Sequence, residues 1–383
     1  MLVVGLKIDM LKPIRNFFVH LATILIASGL SVCATANDND QYIRVSDYLL
    51  EHPEQRQKML TFSQIVRNEA SPLQTSNEKP IKIAIIYPAE QSSDYWRRSV
   101  STLEKRLSEL NISYDINSYF SRPTVDISLQ SEQLNDAIAW KPDYLIYTLD
   151  ALRHQAMIER ILLRGKPKLI LQNITTPLQQ WQQLKPFLYT GFDHEKGTQL
   201  LANQMLNQHP QGTYSMLYFS QGYVSQMRGD TFTQQAANNT DLKLVSSYYT
   251  KGISEIAYKA TLASLKKTPD LNMIFACSTD IALGALKALD ENNLSDQVTL
   301  NGWGGGDREI EALLEGKLDL TVMRMNDDSS VAMAEAIKMD ISGQSSSVPH
   351  IYSGDIVLLS KNTHKDEIEQ LKKRAFRYSS NGQ

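Results

Sequence analysis

From residue 81 to residue 324, short apolar runs alternate with helix-length amphipathic stretches, and this alternation constrains the fold more than any other feature of the chain. The runs are IKIAIIY (81–87), YLIYTL (144–149), KLILQ (168–172), YSMLYFS (214–220), KLVSSYY (243–249), MIFAC (273–277), VTLNGW (298–303) and LTVMR (320–324). Apolar runs of this length suit strands buried on both faces. Segments 94–109, 127–139, 152–164, 195–207, 254–267, 280–291 and 327–341 carry apolar residues at helical spacing. Strand–helix–strand units of this kind build parallel sheets covered by helices. So many strands in 383 residues exceed one ordinary core, and the α/β reading divides them between two doubly wound, Rossmann-like lobes. Ligands in such sheets sit beyond the carboxyl ends of the strands.

Before residue 81 the pattern is different. Lys7, Lys12 and Arg15 precede the apolar stretch FFVHLATILIASGLSV (17–32), which runs into Ala34-Thr35-Ala36. A basic start, an apolar middle and a small-x-small end predict a signal peptide over 1–36, with the mature chain beginning at Asn37. The stretch is shorter than a typical membrane span, so no membrane insertion is expected after cleavage. Val32 before Cys33 argues against a lipoprotein signal, and Met10 is an alternative start. Cleavage removes three basic residues and Asp9, taking the formal charge from −3 to −5. That balance lacks the basic patch of a nucleic-acid binder, so no nucleic-acid partner is expected. Cys33 leaves with the leader, while Cys277, inside MIFAC, reads as a small buried hydrophobe. Residues 37–79 form a helix-prone extension, with Tyr42, Val45, Leu49 and Leu50 spaced for one helix face, and SPLQTSNEKP (71–80) reads as a linker.

The strand ends carry the chemistry. IIYPAEQSSDYW (85–96) closes the first run with Gln91, Ser93 and Trp96, and has none of the glycines of a phosphate loop. KLILQ runs into Asn173, MIFACS into Thr279 and Asp280, VTLNGW ends on Trp303 and LTVMR on Arg324, and the segment after YSMLYFS carries Arg228. Singly, each has a structural explanation as a helix cap, a turn residue or a core aromatic. Placed together at one edge of successive strands, the amides, hydroxyls and carboxylate suit a polyol, and the indoles suit its apolar side. The two arginines add a further demand, because a charge in a closed cleft needs an anionic partner. GWGGGDRE (302–309) lacks both GxGxxG spacing and a P-loop lysine; its glycines suit close approach of the backbone to a ligand or the neighbouring lobe. No HExxH, GxSxG or CxxC occurs and the seven histidines show no metal-ligand spacing, so no enzyme activity, metal or cofactor is expected.

These residues give the chain a resemblance to the type 1 periplasmic binding proteins of the ribose-binding kind. MIFACSTDIALGALKAL (273–289), followed by a strand, an aromatic turn and EGKLDLTVMR (315–324), is similar to their C-terminal lobe, and the resemblance spans about residues 80–375. Within the family the chain looks most like the receptors for the quorum-sensing signal autoinducer 2. Gln91, Ser93, Trp96, Asn173, Arg228, Thr279, Asp280, Trp303 and Arg324 match their pocket, and the added segment 37–78 resembles theirs. Sugar binders of the family usually carry Asp where this chain has Gly304, and a neutral amide where it has Arg324; both departures favour an anion.

The resemblance implies a furanosyl borate diester as ligand, with boron in the ligand and none in the protein. Arg228 and Arg324 would be its counter-charges, Trp96 and Trp303 would enclose the ring, and Gln91, Ser93, Asn173, Thr279 and Asp280 would hold its oxygens. It also implies the periplasm as location, signalling by lobe closure to a LuxQ-like membrane sensor histidine kinase, and three chain crossings near 190, 324 and 355. Residues 80–190 with 325–355 would then form the N-terminal lobe, and 191–324 with 356–375 the C-terminal lobe. A sugar-binding component of an ABC transporter is the first rival, separated by borate dependence. A secreted α/β enzyme would need a nucleophile or metal set, and a LacI-type repressor a helix-turn-helix in place of the leader.

Overall fold

The computed structural model describes residues 42–148, 152–181 and 183–380. The leader, the first residues of the extension and the end of the run 144–149 lie outside the described residues. Helices α1 (Val45–Glu51) and α2 (Pro53–Arg67) form the N-terminal extension. Five strands follow: β1 (Ile81–Tyr87), β2 (Tyr114–Phe120), β3 (Tyr144–Tyr147), β4 (Lys168–Gln172) and β5 (Leu188–Phe192). They pair in parallel in the order β2-β1-β3-β4-β5. Ile83, Ile85, Ile146 and Ile170 are fully buried within this sheet, which is what a run apolar on both faces requires. Helices α3 (Tyr95–Glu109), α4 (Ile127–Ala139) and α5 (Leu152–Arg164) connect these strands.

The second sheet repeats the plan. Strands β6 (Gln211–Tyr218), β7 (Asp241–Tyr249), β8 (Met273–Ala276) and β9 (Thr299–Leu300) pair in parallel in the order β7-β6-β8-β9. Its helices are α6 (His194–Gln208), α7 (Thr231–Asn239), α8 (Ser254–Lys267), α9 (Thr279–Glu291) and α10 (Asp307–Leu314). In both sheets the strand order reverses beside the first strand, between β1 and β3 and between β6 and β8. Such switch points open a crevice at the strand carboxyl ends.

Strand β10 (Leu320–Arg324) continues the second sheet through single parallel bridges, Asn301 to Leu320 and Gly304 to Met323. Helix α11 (Asn326–Ile341) then returns to the first lobe, where Val331, Met333 and Ile337 are buried in its core. Strand β11 (Ile351–Gly354) adds a parallel edge to β5. Strand β12 (Ile356–Ser360) and helix α12 (Lys365–Ala375) finish on the second lobe. The chain therefore passes between lobes at Asp193, Met325 and Asp355. The run 320–324 is a strand, but its long partner β12 runs antiparallel rather than parallel. The cause is the crossing: β12 enters the lobe beside Arg324, where β10 leaves it, so the two must run in opposite directions. The run 298–303 keeps only two ladder residues, because the Asn301 amide takes over the Ala276 backbone N–H and C=O at 2.9 Å each.

Candidate functional site

The carboxyl ends of both sheets meet at a cavity of about 60 Å³. Gln91, Ser93, Trp96, Asn173, Arg228, Thr279, Trp303 and Arg324 line it. Asp280 is not among its lining residues.

The first lobe supplies a preset wall. Pro88 stops β1 by removing a ladder donor, and the Gln91 amide donates back to the Pro88 carbonyl at 2.6 Å. The Trp96 ring lies 4.6 Å from Tyr87 and 4.7 Å from Tyr95, which fixes its plane. Gln172, the last residue of β4, donates to the Tyr95 hydroxyl at 3.1 Å and to Ser99 at 2.9 Å, so Tyr95 is fixed as well. Asn173 turns the corner after β4 with φ 66°, a left-handed conformation that asparagine tolerates. A Cβ on Gly191 would stand 2.9 Å from the Asn173 Cα, so only glycine lets β5 pass under that corner.

The second lobe supplies charge. Arg228 sits in a π-helical turn (Ser225–Asp230), and its guanidinium lies 3.5 Å over the centre of the Trp303 ring. Its Nη1 donates to the Cys277 carbonyl at 2.7 Å and its Nε to His194 Nδ1 at 3.3 Å. Arg324, at the end of β10, rests 4.1 Å from the Tyr95 ring of the opposite lobe, and its Nε has no hydrogen-bond partner. The two residues are 4% and 6% exposed, and among the described residues neither forms an ion pair with a carboxylate. Burial, and then the charge of Arg324, lowers the pKa of Arg228 to about 9. Burial likewise lowers Arg324, against the raising influence of Tyr95, Glu309 and Asp94. A guanidinium does not give up its proton in a protein, so these shifts measure how unfavourably both charges are held.

Three site residues carry no signal in the strand-end reading. His194 is fully buried, and burial, then Arg228 and Arg324, hold its pKa well below the ordinary value. Since Arg228 can only donate, Nδ1 of His194 is an acceptor, and its Nε2–H faces Asn173 Oδ1 at 3.1 Å. A neutral imidazole thus holds one residue from each lobe. Tyr95 is the second, as the platform under Arg324. Glu309 is the third: its buried carboxylate accepts from the backbone N–H of Trp303 (3.0 Å) and Gly305 (2.7 Å) and from the Thr321 hydroxyl (2.7 Å).

Glu309 explains the glycine-rich loop. A Cβ on Gly302 would lie 2.7 Å from the Glu309 carboxyl carbon, and one on Gly304, at φ +153°, would lie 2.9 Å from Arg324 Nη2. The glycines make room for a carboxylate and a guanidinium inside the lobe.

Asp280 stands one residue, hence about 100° of helix, beyond Thr279. Thr279 turns to the cavity, and the Asp280 carboxylate turns to the other lobe, accepting from the backbone N–H groups of Ser92 (2.9 Å) and Ser93 (3.2 Å). It joins α9 to the turn between β1 and α3 and so closes the cleft. Thr124 adds a second link across the cleft, donating to the Lys251 carbonyl at 3.1 Å.

Two doubly wound lobes, three crossings and a small polar cavity between the strand ends define a bilobal small-molecule binding protein. Residues 83–345 match the family described as periplasmic binding protein domain, and the chain belongs to that family, one of binding proteins rather than enzymes. Among the described residues no helix is long and apolar enough to cross a membrane. Solved structures share the fold at low identity. An ABC transporter periplasmic solute binding protein from Actinobacillus succinogenes with bound D-allose is 22% identical, covers 76% of this chain and 100% of its own, and has a TM-score of 0.66. One from Agrobacterium vitis bound with alpha-D-tagatopyranose is 14% identical over 76% and 98%, with a TM-score of 0.68. One from Bacillus halodurans with bound myo-inositol is 17% identical over 79% and 100%, with a TM-score of 0.64.

Proposed function

We propose that this chain is a periplasmic receptor for autoinducer 2 of the kind called LuxP, holding the furanosyl borate diester between its lobes. The observation that carries the reading is the pair of buried arginines, Arg228 and Arg324, converging on a cavity with no carboxylate partner for either among the described residues. Each charge-assisted hydrogen bond to an anion contributes about 1.5–3 kcal/mol, and an anion also relieves the repulsion between the two cations. A neutral sugar relieves neither. Trp96 and Trp303 cover the faces of a small ring, and Gln91, Ser93, Asn173 and Thr279 meet its oxygens. Asp280, whose carboxylate accepts from Ser92 and Ser93 across the cleft, would hold the cleft shut beside the ligand. Because the wall residues come from both lobes, the ligand favours the closed state, and closure is what a LuxQ-like sensor histidine kinase would read.

The second reading is a sugar-binding component of an ABC transporter. The solved relatives favour it, since those just described carry D-allose, D-tagatopyranose and myo-inositol. Calorimetric titration separates the two. The receptor reading expects the furanone precursor of autoinducer 2 to bind at least tenfold tighter with borate than in borate-free buffer, and D-allose or D-ribose to bind weakly. Equal affinity with and without borate, or tight binding of a neutral sugar, favours transport.

A further inference from the structure

Helices α1 and α2 precede the residues that match the family, and their anchorage is on the first lobe. The Phe62 ring meets Tyr352 edge-on at 5.8 Å. The Tyr48 hydroxyl lies 2.6 Å from His350 Nδ1, and the Gln55 side-chain oxygen accepts from the His350 backbone N–H at 2.9 Å.

From this base the extension reaches past the first lobe at both ends. At its start, Ile43 donates to the Pro177 carbonyl at 2.8 Å and Tyr42 bridges Leu178, both in the first lobe. Yet the Tyr42 ring stands 4.8 Å from that of Tyr223, and Arg44 pairs with Glu195 at 3.5 Å, both in the second lobe. At its end, Arg67 donates to both oxygens of the Asp355 carboxylate at 3.0 Å, on the third crossing, where Arg374 of α12 also binds.

Tyr223 links this clamp to the cavity. Its ring lies 5.1 Å from His194, whose two nitrogens hold Asn173 and Arg228, and His194 in turn lies 5.0 Å from Trp303. Tyr42, Tyr223 and His194 form a packed row from the surface extension to the wall of the cavity.

We propose that the N-terminal extension is an interlobe clamp: fixed to the first lobe, it holds the second through Tyr42–Tyr223 and Arg44–Glu195 and favours the closed arrangement without touching the ligand. Rotation about the three crossings separates these partners, so the clamp biases the open–closed balance and keeps the His194 corner in place. The proposal does not depend on what the ligand is.

The test therefore uses ligand-free, full-length mature protein. Spin labels are placed at exposed Asn135 of α4 and Gln234 of α7 through Asn135→Cys and Gln234→Cys, with the buried Cys277 left unreacted. Double electron–electron resonance then reads the distance distribution between lobes, on variants whose circular dichroism matches the parent. Tyr42→Ala and Arg44→Glu are each expected to shift the distribution to longer distances. Adding Glu195→Arg to Arg44→Glu, which swaps the charges, is expected to restore it. Distributions unchanged in both single variants overturn the proposal, and so does a shift in Arg44→Glu that the swap fails to reverse.

Discussion

Replacing Arg324 with methionine separates binding from stability, because the arginine is held at a disadvantage when the cavity has no guest. Its Nε lacks a partner, and its charge is the second cause, after burial, of the fall in Arg228 from 12.5 to about 9. That fall corresponds to a cost on the order of 4–5 kcal/mol for Arg228, most of it from burial and a smaller part from the charge of Arg324. Methionine keeps the apolar stem against Tyr95 and Phe192. Arg324→Met should therefore stabilise the ligand-free protein and raise its Tm. If the ligand is the proposed anion, the same change removes a charge-assisted contact, about 1.5–3 kcal/mol, and should raise Kd about 10- to 150-fold. Thermal unfolding and calorimetric titration on one preparation give both numbers. A variant that melts lower without ligand, or binds as tightly as the parent, refutes the reasoning that Arg324 waits for an anion.

Other consequences are open to the same methods. Gly304→Ala places a methyl 2.9 Å from Arg324 Nη2 and should raise Kd about tenfold or more, with little further loss when combined with Arg324→Met; full additivity would show that the two positions are not coupled. Asp280→Ala removes the acceptor for the Ser92 and Ser93 N–H groups, so ligand-free protein should expand in small-angle scattering and binding should weaken by about 1–3 kcal/mol, about 5- to 150-fold in Kd. Unchanged scattering and affinity would remove Asp280 from closure. Burial, then Lys185, Lys58 and His52, lowers His350 from 6.5 to about 4. The unfolded chain thus takes the proton first, and the contribution of His350 is full above pH 6.5 and lost as pH falls toward 4. His350→Gln should accordingly lower Tm more at pH 7.5 than at pH 4.5, and an equal loss at both values would contradict this.

The legible parts of the fold are those whose local pattern agrees with their surroundings. β1, β4 and β10, and helices α4, α5 and α8, begin and end where their apolar periodicity does. β2 escaped because YDINSYF alternates and stands at a sheet edge, partly exposed. β5 escaped because Gly191 interrupts LYTGF, and that omission hid His194, which follows its carboxyl end. β11 and β12 escaped as strands because Asp355 alone separates them, and the crossing near 355 is expected only from the family resemblance. In the site, residue type at a strand end carried most of the signal. It could not say which side of α9 faces the cavity, and so could not distinguish Thr279 from Asp280. Nor could it find Glu309, one acidic residue on an amphipathic helix until its carboxylate meets the loop N–H groups.

Whether the two arginines hold an anion is decided by identifying what the protein carries. Protein purified from periplasm without added ligand is examined intact by boron-11 NMR, then denatured, and the released organic molecule is identified by mass spectrometry. Four-coordinate boron in the complex and a furanone-derived molecule on release are expected, in amounts approaching one per protein, with both lost from Arg324→Met. A neutral monosaccharide released at that stoichiometry would contradict this expectation.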